Sequence, residues 1–450
     1  MKIVIVGAGD VGYELSKILS DEKHDVIIMD RDSRSLKKIS DNLDVLVQEG
    51  NATSPVDLVQ AKVKNADVML AVTNIDEVNI VSSVMAKRLG AKTVIARVRN
   101  DELSRPDSPL SPSELGIDTL IHPELAAVHE IRLLLKRASA TDVVSLAEDR
   151  MQLIGLRLKA SSKLTGMTLE EVTKTIDEIP FRLVALTRRG NTVIPKGNNQ
   201  LKSMDNLFIL CKTEDVDSFI KLTGHKDEKF ENIMISGGSE VGELLAKELS
   251  QDSQNWNIKL IEPDIEQANV MANELKNVLV LNGNPTDPNL LVTEGIADMD
   301  AFISVTKDEE SNIISCLMAK HLEVKKTVAI VSKPEYLPLS ETIGLDAAIN
   351  VKASASDEIH RCIRTGNITT IKALRGIKAE VFEVVASNRC KVINKPLKKV
   401  KLPDGSILGG IIKESGETEI ATGNSVIHKG DRVIVFALPY AIDKVIELFQ

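Results

Sequence analysis

"MKIVIVGAGDVG" (residues 1–12) decides the fold. An apolar run from Ile3 to Val6 ends in Gly7, Gly9 and Gly12, the G-x-G-x-x-G spacing of a turn between a strand and a helix. Gly7 permits the tight turn, Gly9 lets a phosphate approach the backbone, and Gly12 lets the helix lie close to the sheet. The helix is predicted from Val11, Leu15, Ile18 and Leu19, which share one face. Its N-terminus offers unpaired N–H groups and about half a positive charge to phosphates. Asp30 ends the second apolar run. An acid there accepts hydrogen bonds from ribose hydroxyls and repels a 2′-phosphate, which favours NAD(H) or an adenosine nucleotide over NADP.

The chain is written twice. "IVIVGAGDVGYELSKIL" (3–19) returns as "IMISGGSEVGELLAKEL" (233–249), and "DVIIMDRD" (25–32) as "NIKLIEPD" (257–264). "EGNATSP" (49–55) returns as "NGNPTDP" (282–288), and "GIDTLI" (116–121) as "GLDAAI" (344–349). "ADVMLAVTNIDEVNIVSSVMAKRLGAKTV" (66–94) returns as "MDAFISVTKDEESNIISCLMAKHLEVKKTV" (299–328). A register held over that length marks a duplicated unit. Beyond it, "VIPKGNNQLKSMDNLFIL" (193–210) parallels "EIATGNSVIHKGDRVIVF" (419–436), short strands punctuated by Gly, Asn and Pro. Each half is thus a nucleotide-type segment followed by a small β-rich module. "TGHKDEKFE" (223–231) is the expected joint between halves.

Within the first segment, strands are predicted at 3–6, 26–29, 45–47, 67–72 and 93–98. Helices are predicted between them: one carries Leu36, Ile39 and Leu43, one opens at Ser54-Pro55, and one runs from Glu77 to Gly90. Strands alternating with helices give a parallel sheet covered on both faces. The Pro-rich stretch 104–113 reads as a loop. The helix over 123–137 is apolar nearly all round, which predicts deep burial or packing on another subunit.

Around the glycine turn, Thr73 and Asn74 end the fourth strand, where they line an adenine or ribose site or cap the following helix. Arg97, late in the fifth strand, is available to a phosphate, a ligand carboxylate or a surface ion pair. Asp10 places a negative charge near the phosphate path unless its side chain turns away. In the second half, "GGSEVG" keeps Gly237, Gly238 and Gly242 but puts Ser239 at the close-approach position. Glu262 keeps the acid, and Val331 is read as the counterpart of Arg97. That second site is expected to bind weakly, differently or not at all.

Composition narrows the remaining classes. Net charge is −9 and aromatic content 3% with one Trp, which argues against a polyanion-binding surface and against base stacking on nucleic acid. Cys211, Cys316, Cys362 and Cys390 form no C-x-x-C, so neither a disulfide framework nor a zinc site is expected, and a reducing compartment fits. His321, His360 and Cys362 show no metal-ligand spacing. No signal-peptide core and no apolar run of about 20 residues is present. A cytosolic protein is expected, with any membrane role exerted through a partner. A dehydrogenase needs an acid/base beside the nicotinamide. His122 and Glu124 are the candidates in the first half, and Asn350 stands at the matching place in the second. No P-loop or G-x-S-x-G occurs, so no reaction centre is expected.

The combination "GAGDVG…IIMD…EGNAT…AVTNIDEVN…IARVR", with its echo, resembles RCK (KTN) domains, nucleotide-binding regulators of potassium channels and transporters. The tandem arrangement is similar to the soluble regulatory subunits of bacterial Trk potassium-uptake systems. The resemblance implies an α/β chain of two Rossmann-like parallel-sheet domains, each followed by a small α+β domain. It divides the chain into N-lobes at 1–137 and 230–366 and C-lobes at 138–223 and 367–450. It implies a non-enzymatic homotetramer that binds NAD(H) and/or ATP/ADP and gates an integral-membrane potassium transporter. The protein would sit in the cytoplasm, peripheral to the inner face of the cell membrane, without inserting and without binding nucleic acid. Family nucleotide contacts fall here on Gly7, Ala8, Gly9, Asp10, Val11, Gly12, Asp30, Asn51, Ala52, Thr73, Asn74 and Arg97. In the second half they fall on Gly237, Gly238, Ser239 and Glu262. The competing reading is an NAD-dependent oxidoreductase with duplicated Rossmann units; a third is a structural scaffold with vestigial sites.

Overall fold

The computed structural model describes residues 1–100, 103, 108–176, 179–188, 191–225, 229–252, 256–333, 336–351, 359, 368–373, 379–388 and 390–449. Contacts divide the chain into two compact units. One is Met1–Ala126 with Val351–Thr365; the other is Ala127–Asn350 with Gly366–Gln450.

In the first unit, β1 (Lys2–Val6), β2 (Asp25–Asp30), β3 (Leu46–Glu49), β4 (Val68–Ala71), β5 (Thr93–Arg97) and β6 (Thr119–Ile121) form one sheet in the order β3-β2-β1-β4-β5-β6. All pairings are parallel. Ile3, Val4, Ile5 and Val6 are all essentially inaccessible, because a central parallel strand is covered on both faces. One face carries α1 (Asp10–Asp21) and α2 (Ser33–Asn42), which pack Leu15, Leu19, Leu36 and Ile39 on Ile3, Ile5 and Ile28. Ile359 completes that core. The other face carries α3 (Pro55–Gln60) and α4 (Asp76–Leu89). The predicted punctuation is in place. Ser54 caps α3 by accepting from Asp57 N at 3.3 Å, and Gly90 ends α4 in the left-handed region at φ 113°. Of the Pro-rich stretch, residues 104–107 lie outside the described residues. Its end is a short 3-10 turn, Pro112–Leu115, closed by a Ser111–Glu114 capping box.

The second unit contains α5 (Pro123–Lys136) from its second turn onward. The sequence predicts this helix to be deeply buried or to pack on another subunit, and much of it is buried within the chain. Ala127, Val128, Ile131, Leu134 and Leu135 are buried. Arg132 bonds Glu248 at 2.5 Å and Asp252 at 3.0 Å, and Lys136 reaches Asp252 at 2.9 Å. Apolar count alone hid these charges, whose partners lie more than 110 residues away. Within the expected joint at 223–231, residues 226–228 lie outside the described residues.

Next comes an antiparallel module of β7 (Ala140–Leu146), β8 (Met151–Arg157), α6 (Leu169–Thr175), β9 (Phe181–Arg188), β10 (Asn191–Val193), β11 (Asn206–Lys212) and α7 (Val216–Leu222), with strand order β10-β9-β11-β8-β7. The second Rossmann-like segment has β12 (Asn232–Ser236), α8 (Glu240–Ser250), β13 (Asn257–Glu262), α9 (Ile265–Glu274), β14 (Val278–Asn282), α10 (Pro288–Thr293), β15 (Ala301–Ser304), α11 (Glu309–His321), β16 (Lys326–Ile330), α12 (Tyr336–Ile343) and β17 (Ala347–Ile349). Its sheet, β14-β13-β12-β15-β16-β17, repeats the first strand for strand. The last module, β18 (Ile368–Ala373), β19 (Glu380–Val385), β20 (Ser406–Ile412), β21 (Thr418–Ile420), β22 (Arg432–Ala437) and α13 (Pro439–Phe449), repeats the antiparallel order. The two modules share a core: Val144, Met151, Phe208 and Leu210 pack with Val381, Ile407, Ile434 and Phe436. Among the described residues no helix is long and apolar enough to cross a membrane.

Candidate nucleotide site

The carboxyl ends of β1, β2 and β4 meet where the strand order reverses, the place where doubly wound sheets bind ligands. A cavity of about 270 Å³ opens there, lined among others by Gly7, Gly9, Asp30, Arg31, Ser35, Ala52, Thr73 and Asn74. Gly7 and Gly12 do the work their spacing predicts. Gly7 has φ 108°, and a Cβ on it would meet the Thr73 N at 2.9 Å. A Cβ on Gly12 would overlap the Gly7 carbonyl oxygen, so α1 lies against the turn only without a side chain there. Gly9, the N-cap of α1, is different. Its φ is an ordinary −72°, and an added Cβ would meet nothing nearer than Asn74 Oδ1 at 3.9 Å. The protein's own atoms do not require glycine at 9.

Asp30 stands at the cavity edge, but its carboxylate has internal work. Oδ2 accepts from Ala8 N at 2.6 Å and Oδ1 from Asp32 N at 2.9 Å. The acid therefore fixes the glycine turn, and further lone pairs remain for a ligand. Asp10 is exposed in the first turn of α1 and does not line the cavity. Val11 packs toward the core. Asn51 folds its own turn, with Oδ1 accepting from Thr53 N at 3.1 Å and Thr53 Oγ1 at 2.9 Å. Arg31 and Ser35, not foreseen from the sequence, also line the cavity.

Thr73 and Asn74 line it as expected, and their loop is held by a residue the sequence reading missed. Asn79, fully buried, accepts from Thr73 N at 2.9 Å and Thr73 Oγ1 at 2.7 Å. Its amide donates to Thr73 O at 2.9 Å and Arg97 O at 2.8 Å. The repeat carried the signal, since Asn312 holds the same place in the echo of this stretch. Arg97 is neither a cavity residue nor a surface pair. It bonds Glu124, with side-chain exposures of 13% and 11%. Asn312 donates to Ile330 O as Asn79 does to Arg97 O, so the counterpart of Arg97 is Ile330 and not Val331. Both strands keep a 233-residue offset, Val68 facing Thr93 and Ala301 facing Lys326, so matching "AKTV" to "KKTV" is what shifted the reading by one place.

The acid/base candidate is committed elsewhere. His122 Nε2 bonds Arg99 O at 2.6 Å, and Nδ1 accepts from Leu125 N at 3.1 Å, capping α5. Both ring nitrogens are thus engaged with main chain. Glu124 is Arg97's partner. His321 is exposed on α11, while His360 and Cys362 lie outside the described residues. Among the described residues no cluster of His, Cys, Asp or Glu is arranged to hold a metal.

The second turn is built alike and carries more side-chain bonds. Gly237 repeats the left-handed φ at 107°, and Gly242 again leaves no room for a Cβ against Gly237 O. Ser239 caps α8, accepting from Gly242 N at 3.4 Å and donating to Val305 O. Glu262, one methylene longer than Asp30, is buried and accepts from Gly238 N at 2.7 Å. Gln267 donates to Gly238 O at 2.6 Å. Ser239 and Gln267 thus tie this loop with side-chain bonds.

Family models of the TrkA-N domain match residues 3–123 and 233–351, and those of the TrkA-C domain match 153–224 and 381–450. The Trk system potassium uptake protein TrkA homolog 1 of Methanosarcina mazei is 35% identical over 459 residues, covering 100% of both chains. The fold is similar to that of the GsuK channel bound to NAD, with a TM-score of 0.63 at 16% identity, over 100% of this chain and 78% of that one. GsuK bound to ADP aligns with a TM-score of 0.51 at 14% identity, over 81% of this chain and 69% of that one. With two TrkA-N and two TrkA-C segments in register with its two repeats, the chain belongs to the TrkA family.

Proposed function

We propose that the chain is the nucleotide-sensing regulatory subunit of a membrane potassium-uptake system. The carrying observation is the contrast between the two turns: open space before Gly9 in one repeat, and in the other Ser239 bonded to Val305 O and Gln267 to Gly238 O. One copy is kept fit for a phosphate and the other serves the fold. The ligand class is NAD(H) or an adenine nucleotide, the classes bound by the GsuK structures of like fold. Its phosphates would lie on the N-terminus of α1, with Asp30 at the ribose and Ala52, Thr73 and Asn74 along the cavity. The potassium transporter as partner is supported by the name of the full-length relative. The working segments are 1–137, 138–223, 230–366 and 367–450, assembled as a homotetramer on the cytoplasmic face of its partner.

Occupancy changes shape and not bonds: of the groups lining the cavity, Asp30 uses its carboxylate to hold the glycine turn, and His122 and Glu124 are bonded elsewhere. A ligand shifts an equilibrium only by its differential affinity for the two states. Going from 1:99 to 99:1 takes roughly 10⁴-fold, or about tenfold at each of four sites. One phosphate contact made in a single state is enough for that. The test is potassium flux through the reconstituted partner, titrated with NADH, NAD⁺, ATP and ADP. Flux should follow at least one nucleotide and lose that response in Gly9→Ala. Identical affinity for every nucleotide, with and without the partner, would sink the proposal, and so would turnover of NADH by the chain alone.

A further inference from the structure

"KVINKPLKKVK" (391–401) carries five lysines and no acid in a chain whose net charge is −9. The segment has two faces. Val392 is buried, and Ile393, Leu397 and Val400 pack on the core of the last module. Lys391, Lys398, Lys399 and Lys401 are exposed on the other side, with Lys395 half-buried. The segment is pinned along the following loop. Pro396 bridges Val426, and the main-chain N–H groups of Leu397 and Lys398 donate to Ser425 O and Gly423 O. That loop adds the exposed Lys429. Nearby, Lys413 pairs with Asp431 at 3.5 Å and Glu419 at 3.7 Å. Among the described residues, none of the other six lysines has a carboxylate partner.

The fold does not require positive charge here. The first module has the same segment, "KLTGMTLEEVT" (163–173), with the matching bridge from Thr168 to Gln200 and a left-handed residue at the same place, Gly166 for Asn394. Its acid serves the chain: Glu171 accepts from Thr168 N at 2.7 Å and Thr168 Oγ1 at 2.8 Å, a capping box. Pro396 replaces Thr168 and has no N–H to offer, and Lys398 and Lys399 replace Glu170 and Glu171.

From this we infer that the Lys391–Lys401 face docks on the anionic headgroup surface of a lipid bilayer. The patch is a field and not a pocket. Lysines are mobile point charges on flexible stems, and neither an arginine fork nor an aromatic ring in the segment shapes it for one partner. A continuous layer of phosphates suits such a surface. Clusters of four to eight basic residues are drawn to it, with roughly fivefold in partition for each lysine. The attraction fades within about 8 Å at physiological salt, so this face must lie against the bilayer.

The experiment is co-sedimentation of the full chain with phosphatidylcholine vesicles, with and without phosphatidylglycerol, at low and high KCl. The protein should bind only the anionic vesicles and leave them as salt rises. Changing Lys391, Lys395, Lys398, Lys399 and Lys401 to Gln together should weaken binding at least about 100-fold. Changing the exposed Lys17, Lys37 and Lys64 to Gln should not. Nucleotide affinity measured on the same samples should be unchanged, which separates this inference from the proposed nucleotide function. No binding by the unaltered chain would overturn it, as would equal binding by the five-lysine variant. Binding to an acidic polypeptide but not to anionic vesicles would also overturn it. The salt response of the unaltered chain decides the matter even if the variant fails to fold.

Discussion

Asn79 and Asn312 stand 233 residues apart and make the same bonds: each amide holds a threonine loop and the last carbonyl of the neighbouring strand. Both side chains are buried, at 0% and 1% exposure, and fully bonded. Removing one leaves a buried N–H and two carbonyls without partners, at about 1–3 kcal/mol for each unsatisfied group. Asn79→Ala should therefore cost about 2–4 kcal/mol in urea denaturation. Asn79→Asp should be no milder, since it turns a carboxylate toward Thr73 O and Arg97 O. Nucleotide affinity should fall with stability, because Thr73 lines the cavity. A variant as stable as the parent would show that the two loops are held by something else.

The glycines of the first turn separate packing from binding. Gly12→Ala drives a Cβ into the Gly7 carbonyl and should destabilise the fold by about 2 kcal/mol or more. Gly9→Ala meets no protein atom closer than 3.9 Å at an ordinary φ. Its melting temperature should stay within about 2 °C of the parent, while calorimetric titration should show nucleotide affinity reduced by at least about tenfold. In the second repeat Ser239→Gly should cost only a few tenths of a kcal/mol. It should not by itself create a site, because Glu262 and Gln267 still occupy the loop. Loss of stability in Gly9→Ala would mean that the fold and not a ligand keeps that glycine.

Much of this was legible because it is local. Glycine spacing, the Ser54 cap and the Gly90 stop act within a few residues, and the duplicated register announced two parallel sheets, whose strand order only the structure supplied. Long-range pairings were not legible. Arg97 has its carboxylate 27 residues on and Arg132 has its acids 116 and 120 residues on, and no periodicity reports such distances. Asn79 was missed for another reason. An Asn in the first turn of a helix looks like an exposed polar residue until the fold shows it facing a loop. The one-place slip at Val331 came from the like letters of "AKTV" and "KKTV", whereas strand pairing keeps Thr93 level with Lys326.

Arg97 and Glu124 form a nearly buried pair, and Arg97 Nε and Glu124 Oε2 have no further hydrogen bond. Breaking such a pair from one side leaves an uncompensated charge, at about 3–5 kcal/mol, whereas replacing both partners by apolar groups is often neutral. Arg97→Met and Glu124→Leu should each destabilise strongly, and the double variant should recover most of the loss. The double variant should also retain nucleotide affinity within about threefold if the pair serves only the anchoring of α5. A tenfold loss in a well-folded double variant would instead bring the guanidinium to the ligand in the bound state. Denaturation and titration of the same four proteins distinguish these outcomes.

Lys326, the first residue of β16, is fully buried and donates Nζ to Ala138 O at 3.2 Å and to Ala140 O. Burial pushes its ammonium down to about 8 from an ordinary 10.5; Asp346 and Asp142 oppose the shift, and Lys320 adds to it. The folded chain thus releases this proton at lower pH than the unfolded chain does. Between pH 8 and about 10.5 the unfolded state binds more protons, so the contribution of this group to stability rises with pH. Below pH 8 the buried charge is a constant cost. Other lysines and tyrosines titrate in the same window, so the measurement is a difference between the parent and Lys326→Met. That difference should move in the parent's favour by on the order of 3 kcal/mol between pH 7 and 10.5. At pH 7 the two should lie close together, since the methionine loses two hydrogen bonds but buries no charge. A difference flat across this range would mean that the amine keeps an ordinary affinity for its proton, with water reaching it past the Ala138 and Ala140 carbonyls.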